Sequence, residues 1–269
     1  MKDYSAIPTY YHRSINFGDM LSPYILEKIS GKKCVYQEQS EDITTIMAIG
    51  SILGTDVSNS VIWGNGFAWK YNDTEVVTKP LEICAVRGKL TREKLIENGI
   101  SCPQVYGDPA LLLPKFYNPD VKKKYKLGII PHIVDYEDVC NHYKGILPND
   151  VIIIDLRLII TNNTIESVID KILECEKTIS GSLHGLIVSN AYNIDSLWVE
   201  FSKKIQGDGF KFWDYFSCTD VTPYLPINPM KADDLQSIIN IIPKCKITAD
   251  LDLLYNSCPV LNVKSWENV

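Results

Sequence analysis

The stretch Ser180-Gly181-Ser182-Leu183-His184-Gly185 is the most chemically informative in the chain. Its glycines allow a tight turn, and Ser182 can cap a helix that starts there. His184 then falls in the first helical turn, at the positive end of the helix dipole. That position disfavours an imidazolium alone but suits one with a phosphate or carboxylate beside it. The other reading is a histidine packed between sheet and helix, and the pattern leaves both open. The spacing is not the G-x-S-x-G nucleophile elbow. The chain also contains neither a G-x-G-x-x-G fingerprint nor a P-loop, so nicotinamide and ATP chemistry have no motif support.

Four other places carry groups suited to a ligand. Arg87-Gly88-Lys89 stands where an apolar run meets a helical pattern, and an arginine fork there suits carboxylate or phosphate. The alternative for Arg87 is a surface pair with an acid such as Glu93. Asn16-Phe17-Gly18-Asp19 precedes another helix, where free N–H groups attract anions, or where Asp19 is simply the cap. Pro131-His132 follows an apolar run, placing His132 to face a cleft. Glu200 ends another run and is followed by Ser202-Lys203-Lys204. Gly207-Asp208-Gly209-Phe210-Lys211 reads as a mobile loop, and Tyr106-Gly107-Asp108-Pro109-Ala110 as a turn.

The elements that must position these groups alternate along the chain. Short apolar runs at 46–49, 61–63 and 82–86, each closed by glycine or by Arg87-Gly88, predict buried parallel strands. Similar runs follow at 127–130, 151–154, 177–180 and 197–201. The spacing of Met20, Leu21, Tyr24, Ile25 and Ile29 predicts a helix closed by Gly31, with Pro23 in its first turn. Further helices are predicted over 89–98, 163–176, 183–192 and 231–242, the second opening on an Asn163/Glu166 capping box. Two prolines and five lysines in 114–126 predict a connection. Strand–helix alternation on both sides of it implies two doubly wound α/β units, 1–118 and 119–269, with ligands at the carboxyl ends of the strands.

Composition narrows the classes. The chain has 269 residues, 27 Lys and Arg against 33 Asp and Glu, and a net charge of −6, which argues against broad nucleic-acid binding. No apolar run reaches the ~18 residues of a membrane span, and the first residues hold no apolar signal region, so a cytoplasmic chain is expected. The eight cysteines are widely and irregularly spaced, which predicts reduced and mostly buried thiols. No Cys or His pair has metal-ligand spacing, and no metal is expected.

The ordered set of segments also resembles a known family. The four-residue group at Asn16, Trp63-Gly64-Asn65-Gly66-Phe67, Val86-Arg87-Gly88-Lys89-Leu90-Thr91, the turn at Asp108, Ile130-Pro131-His132, the stretch around His184 and Leu197-Trp198-Val199-Glu200-Phe201-Ser202 occur in that order. Together they resemble the polysaccharide pyruvyl transferases of bacterial surface-glycan synthesis, over residues 14 to 217. The resemblance implies a GT-B-like fold, with an N-terminal acceptor domain and a C-terminal donor domain of Rossmann-like type. It implies transfer of pyruvate from phosphoenolpyruvate to two hydroxyls of one sugar, as a cyclic ketal, with release of phosphate. The acceptor would be a glycan or lipid-linked oligosaccharide, which would bring the chain near a membrane; phosphoenolpyruvate is a co-substrate and no cofactor is implied. It also implies catalytic roles for His184 and Arg87, with His132, Asp19 or Glu200 as the base. Donor contacts would come from Gly181, Ser182 and Lys89, and Asn16 would line the cleft. Where many relatives carry arginine this chain has Ser182, so another cation is needed, and Lys211 is the candidate. The rival is a GT-B glycosyltransferase using a nucleotide sugar; a non-catalytic binding protein of the same fold is the other.

Overall fold

The computed structural model describes residues 6–71, 77–158, 163–232 and 234–261. Two parallel sheets of Rossmann-like type organise it. The first contains β1 (Ala6–Thr9), β2 (Lys33–Tyr36), β3 (Thr45–Met47), β4 (Ser60–Trp63) and β5 (Glu82–Ala85), in the order β2-β1-β3-β4-β5. The second contains β6 (Tyr125–Ile130), β7 (Val151–Ile153), β8 (Cys175–Ser180) and β9 (Ser196–Trp198), in the order β7-β6-β8-β9. An extended segment at 117–124 joins them; Pro114 and Lys115, expected in the connection, belong to a 3-10 helix, Pro109–Lys115.

Register in the second sheet determines what its edge presents. Ile130 pairs with Ser180, and Ser180 with Trp198, so β6, β8 and β9 end level. The chain runs from β6 to β7 on one side and returns to β8 on the other. The gap between β6 and β8 is therefore a topological switch point, where open α/β sheets bind ligands. His132 follows β6, and the Gly181–His184 turn follows β8.

The helices are α1 (Phe17–Ser30), α2 (Lys89–Glu97), α3 (Tyr136–Tyr143), α4 (Ile165–Leu173), α5 (Leu183–Ala191), α6 (Phe210–Phe216), α7 (Leu235–Ile241) and α8 (Leu251–Asn256). In α5 every residue from Leu183 to Asn190 is buried, so the helix is covered on all sides, with Ser189 and Asn190 hydrogen-bonded to backbone carbonyls. It packs on the 3-10 helix, and α1 packs on both α4 and α5. One apolar cluster accordingly draws Ile7, Leu21 and Leu112 from the first half and Ile130, Ile172 and Leu186 from the second. Gly31 closes α1 in the left-handed conformation, φ 69°, as the spacing predicts.

Several local expectations are corrected. Helix α1 starts at Phe17, so Pro23 lies more than a turn inside it; having no N–H, it leaves the Asp19 carbonyl without its usual donor. The cap of α1 is Asn16, whose Oδ1 accepts from Gly18 N at 3.2 Å, not Asp19. The capping box of α4 is Thr164 with Ser167, one residue along from Asn163 and Glu166; Glu166 instead accepts from Tyr24 and Lys28. The loop expected at 207–211 gives way to α6 at Phe210. The helix expected over 231–242 is a 3-10 turn, Pro229–Lys231, followed by the shorter α7, with residue 233 outside the described residues.

All eight cysteines are free thiols, and four of them are buried. Among the described residues, no helix is long and apolar enough to cross a membrane.

Candidate active site

His184 sits at the second position of α5, with only 8% of its surface exposed. Its Nε2 lies 3.4 Å from Asp108 Oδ2, within ion-pair reach but long for a hydrogen bond, and neither atom has a hydrogen-bond partner. The other oxygen of Asp108 is committed, since Oδ1 accepts from Ala110 N at 2.9 Å and caps the 3-10 helix. Opposite the imidazole lies Gly18. A Cβ there would stand 2.2 Å from His184 Nδ1, so only glycine lets α1 approach the ring this closely. Residues 18, 108 and 184 thus meet where α1, the 3-10 helix and α5 converge.

The backbone at the start of α5 is partly committed. Gly181 N donates to Ile130 O and Ser182 N to Ser180 Oγ. Ser182 occupies the N-cap position, but its hydroxyl makes no capping bond. The N–H groups of Leu183, His184 and Gly185 have no intrahelical acceptor, as in any first helical turn. This is an anion-binding arrangement.

Two titratable groups flank it. Burial, with help from the charges of Lys211 and His184, pushes the His132 pKa down to about 4, against a raising influence from Asp19; His132 is therefore neutral at pH 7. Burial and the nearby Arg87 charge push the Lys211 pKa down to about 8, again opposed by Asp19. Lys211 stands in the first turn of α6, and its ammonium reaches Gln206 O at 3.5 Å. Asp19, which accepts from Ser14 Oγ at 2.6 Å, lies close enough to both for its charge to be felt. The structure therefore gathers His184, His132, Lys211 and Asp19 around one end of the second sheet.

Arg87 is placed differently from the expected surface or ligand-facing fork. It is fully buried, and its guanidinium is engaged by Asp214 Oδ2 at 2.9 Å, Ser51 Oγ at 2.5 Å and the Phe67 carbonyl at 2.6 Å. Asp214, also fully buried, accepts in addition from Thr91 N and Thr91 Oγ1, at 2.8 and 2.7 Å. A Cβ on Gly88 would stand 2.0 Å from Asp214 O. The Arg-Gly-x-x-Thr segment is thus a clamp on α6, and it fixes the helix that presents Lys211. Lys89 is exposed and lines a cavity with Tyr106, Cys218 and Asp250, none of them in the His184 group. Asn16 caps α1, and Glu200 pairs with Lys203 at 2.5 Å beyond the end of β9. Trp63 and Phe67 are core residues, while Tyr71 is 73% exposed. Among the described residues, no group of three or more His, Cys, Asp or Glu side chains is placed to hold a metal ion.

Comparison with known proteins decides the family. The model of the polysaccharide pyruvyl transferase family matches residues 52–202, more than half of the chain. The chain belongs to the polysaccharide pyruvyl transferase family. The matched region includes Arg87, Asp108, His132 and His184, whereas Gly18, Lys211 and Asp214 lie outside it. Two curated relatives align over 215 residues, 77% of this chain. An uncharacterized protein of Acanthamoeba polyphaga mimivirus is 29% identical, with 72% of its length covered. The succinoglycan biosynthesis protein ExoV of Rhizobium meliloti (strain 1021) is 26% identical; the alignment covers 62% of it, so the chain spans less than two thirds of that member's length. No solved structure matches.

Proposed function

We propose that this chain transfers the pyruvyl group of phosphoenolpyruvate to two hydroxyls of one sugar in a surface-polysaccharide precursor, forming a cyclic ketal and releasing phosphate. The observation that carries the reading is the buried His184–Asp108 pair, each with an unsatisfied polar atom, beside the open start of α5 at the switch point of the second sheet. Phosphoenolpyruvate carries a phosphate and a carboxylate. The N–H groups of Leu183 to Gly185 and the Lys211 ammonium supply the complementary donors. With a pKa near 8, Lys211 is mostly protonated at pH 7.

In the proposed chemistry His184 protonates the methylene carbon, and Asp108 stabilises the imidazolium that delivers the proton. General acids of this kind contribute ~10²–10⁴-fold in rate. One sugar oxygen bonds to the central carbon, and the carbon–oxygen bond to phosphate breaks. A second hydroxyl then closes the ring. Over the cycle, one hydroxyl proton ends on the new methyl group and the other on phosphate, which leaves the enzyme unchanged. His132 is neutral, and its Nδ1 accepts from Val134 N at 3.4 Å, so Nε2 carries the ring proton and Nδ1, held only by that long bond, is the nitrogen with a lone pair to take a hydroxyl proton. The anionic donor would raise its pKa from about 4 and strengthen it as a base. Asp19 balances the charge of Lys211. Arg87 acts through α6 as a positioning residue. The two sheets would serve as the acceptor and donor domains, 1–118 and 119–269, of a GT-B-like arrangement, working in the cytoplasm where phosphoenolpyruvate is made.

The test is phosphate release from phosphoenolpyruvate with extracted lipid-linked glycans as acceptors, alongside thermal shift with the donor alone. Acceptor-dependent release that His184→Ala abolishes, with donor binding retained, supports the reading. Stabilisation by a nucleoside diphosphate and none by phosphoenolpyruvate would replace it with glycosyl transfer.

A further inference from the structure

Among the described residues, four buried side-chain atoms have no hydrogen-bond partner: Asn65 Nδ2, Asp108 Oδ2, Asp135 Oδ2 and His184 Nε2. Asp108 and His184 form the pair at the reaction centre. Asn65 is the one amide in the set, and it is fully buried. Its turn follows β4 and touches the elements of the centre on three sides. Gly64 packs on the 3-10 helix that Asp108 caps, where a Cβ would stand 2.2 Å from Pro109 Cδ. Gly66 packs on Arg87, where a Cβ would stand 2.5 Å from Cζ, and Asn65 O accepts from Arg87 N at 3.0 Å. On the third side Asn65 Oδ1 accepts from Ile52 N at 3.4 Å. Just before Ile52 in the same loop, Ile49 N donates to Ser22 Oγ at 3.3 Å, and Ser22 lies one turn along α1 from Gly18, the residue against the His184 ring. Asn65 is thus flanked by one glycine against the residue after Asp108 and by another against Arg87, whose charge is felt at Lys211.

The geometry points to Asn65 as a further donor-binding residue, contributed by the first sheet, whose Nδ2 donates to the carboxylate of phosphoenolpyruvate. The assignment rests on the pyruvyl-transfer reading. Ile52 N holds Oδ1, which fixes the amide with Nδ2 as the free end, a group that can only donate. A buried donor left unpaired is unfavourable, and a ligand oxygen placed against it recovers that loss. The dianionic phosphate is served by the start of α5 and the Lys211 ammonium. The carboxylate then needs its own donor, and the fork otherwise suited to it, Arg87, is turned inward on Asp214. A neutral donor also suits the reaction. Positive charge develops on the central carbon, directly beside the carboxylate. A cation bound there would cancel the carboxylate's charge and repel the developing one, whereas an amide holds the group and leaves its charge in place.

The test is calorimetric titration of the full chain with phosphoenolpyruvate and, separately, with inorganic phosphate, which has no carboxylate. Wild type, Asn65→Ala and Asn65→Asp are compared, and the melting temperature of each free protein is measured alongside. Asn65→Ala removes a hydrogen bond to a charged group, so phosphoenolpyruvate should bind about ten- to a hundredfold more weakly, while phosphate should bind within about twofold of wild type. Asn65→Asp keeps an oxygen for Ile52 N but sets a carboxylate against the donor's own, and should bind phosphoenolpyruvate no better than Asn65→Ala. Since Nδ2 makes no bond in the free protein, Asn65→Ala should melt within a few degrees of wild type. Phosphoenolpyruvate affinity indifferent to Asn65→Ala, or equal weakening of both ligands, overturns the inference and leaves the donor reading standing. A collapse of the melting temperature in both variants shows Asn65 to be structural and also overturns it. Wild type that does not bind phosphoenolpyruvate at all overturns the donor reading, and the inference with it.

Discussion

Removing one partner of the Arg87–Asp214 pair leaves a charge stranded where both side chains are fully buried. Asp214→Ala withdraws the acceptor from Arg87 Nε and both acceptors from Thr91. Breaking a buried pair in this way costs ~3–5 kcal/mol. For a chain of this size each kcal/mol lowers the melting temperature by ~2–4 °C, so a fall of ~6–20 °C is expected. Arg87→Met should cost a similar amount, because Asp214 then loses its cation. The double replacement Arg87→Met with Asp214→Leu removes both charges and should cost less than either single change, a non-additivity that a double-mutant cycle reads directly. The assay is equilibrium denaturation of the four proteins. Lys211 and Asp214 lie one turn apart on α6, so in the variants that still fold the KM for phosphoenolpyruvate should rise more than kcat falls. If Asp214→Ala lowered the melting temperature by less than about 3 °C, below ~1.5 kcal/mol on this scale, the clamp would not be what holds α6.

Other outcomes follow from the same geometry. Lys211 is a cation below its pKa of about 8 and loses that charge as the pH rises through it, so kcat/KM for phosphoenolpyruvate should fall on the alkaline side near pH 8. Lys211→Arg should keep the profile flat to higher pH, since arginine stays protonated; an alkaline limb unmoved by that change would take Lys211 out of donor binding. Gly18→Ala places a methyl 2.2 Å from His184 Nδ1, which must displace the ring; turnover should drop tenfold or more with modest destabilisation, and unchanged turnover would show that the ring position is immaterial.

The second sheet was legible from its apolar stretches, above all the carboxyl halves of β6 and β8, which are buried and run into Pro131 and Gly181 as doubly covered parallel strands do. The edge strand β2, Lys-Cys-Val-Tyr, and its neighbour β1, Ala-Ile-Pro-Thr, are too short and too mixed to stand out. Helix α6 was missed because seven residues dominated by aromatics show no 3.6-residue period, and with it went Asp214, the partner that turns Arg87 inward. His184 was visible from its turn and helix start. Its neighbours Gly18 and Asp108 were not, since they come from other elements and only folding brings them to the ring. Asp108 stood in a segment whose local role as a turn explained it, and nothing in the sequence marks its second oxygen as the one facing a histidine. The error at α4 is of another kind: Asn163 and Glu166 satisfy the capping spacing as well as Thr164 and Ser167 do, and the choice between them depends on Glu166 being drawn to Tyr24 and Lys28 of α1 at the outer edge of the α1–α4 contact.

The central claim is that the pyruvyl carbons themselves move to the sugar. It is tested most directly by supplying phosphoenolpyruvate labelled with carbon-13 at its central carbon, together with the extracted lipid-linked glycans, and following the label by NMR. The account predicts a new quaternary ketal carbon and a methyl group on the glycan, formed in step with phosphate and absent with His184→Ala. Label that stays in phosphoenolpyruvate, or appears only as free pyruvate while the glycan is unchanged, would contradict it.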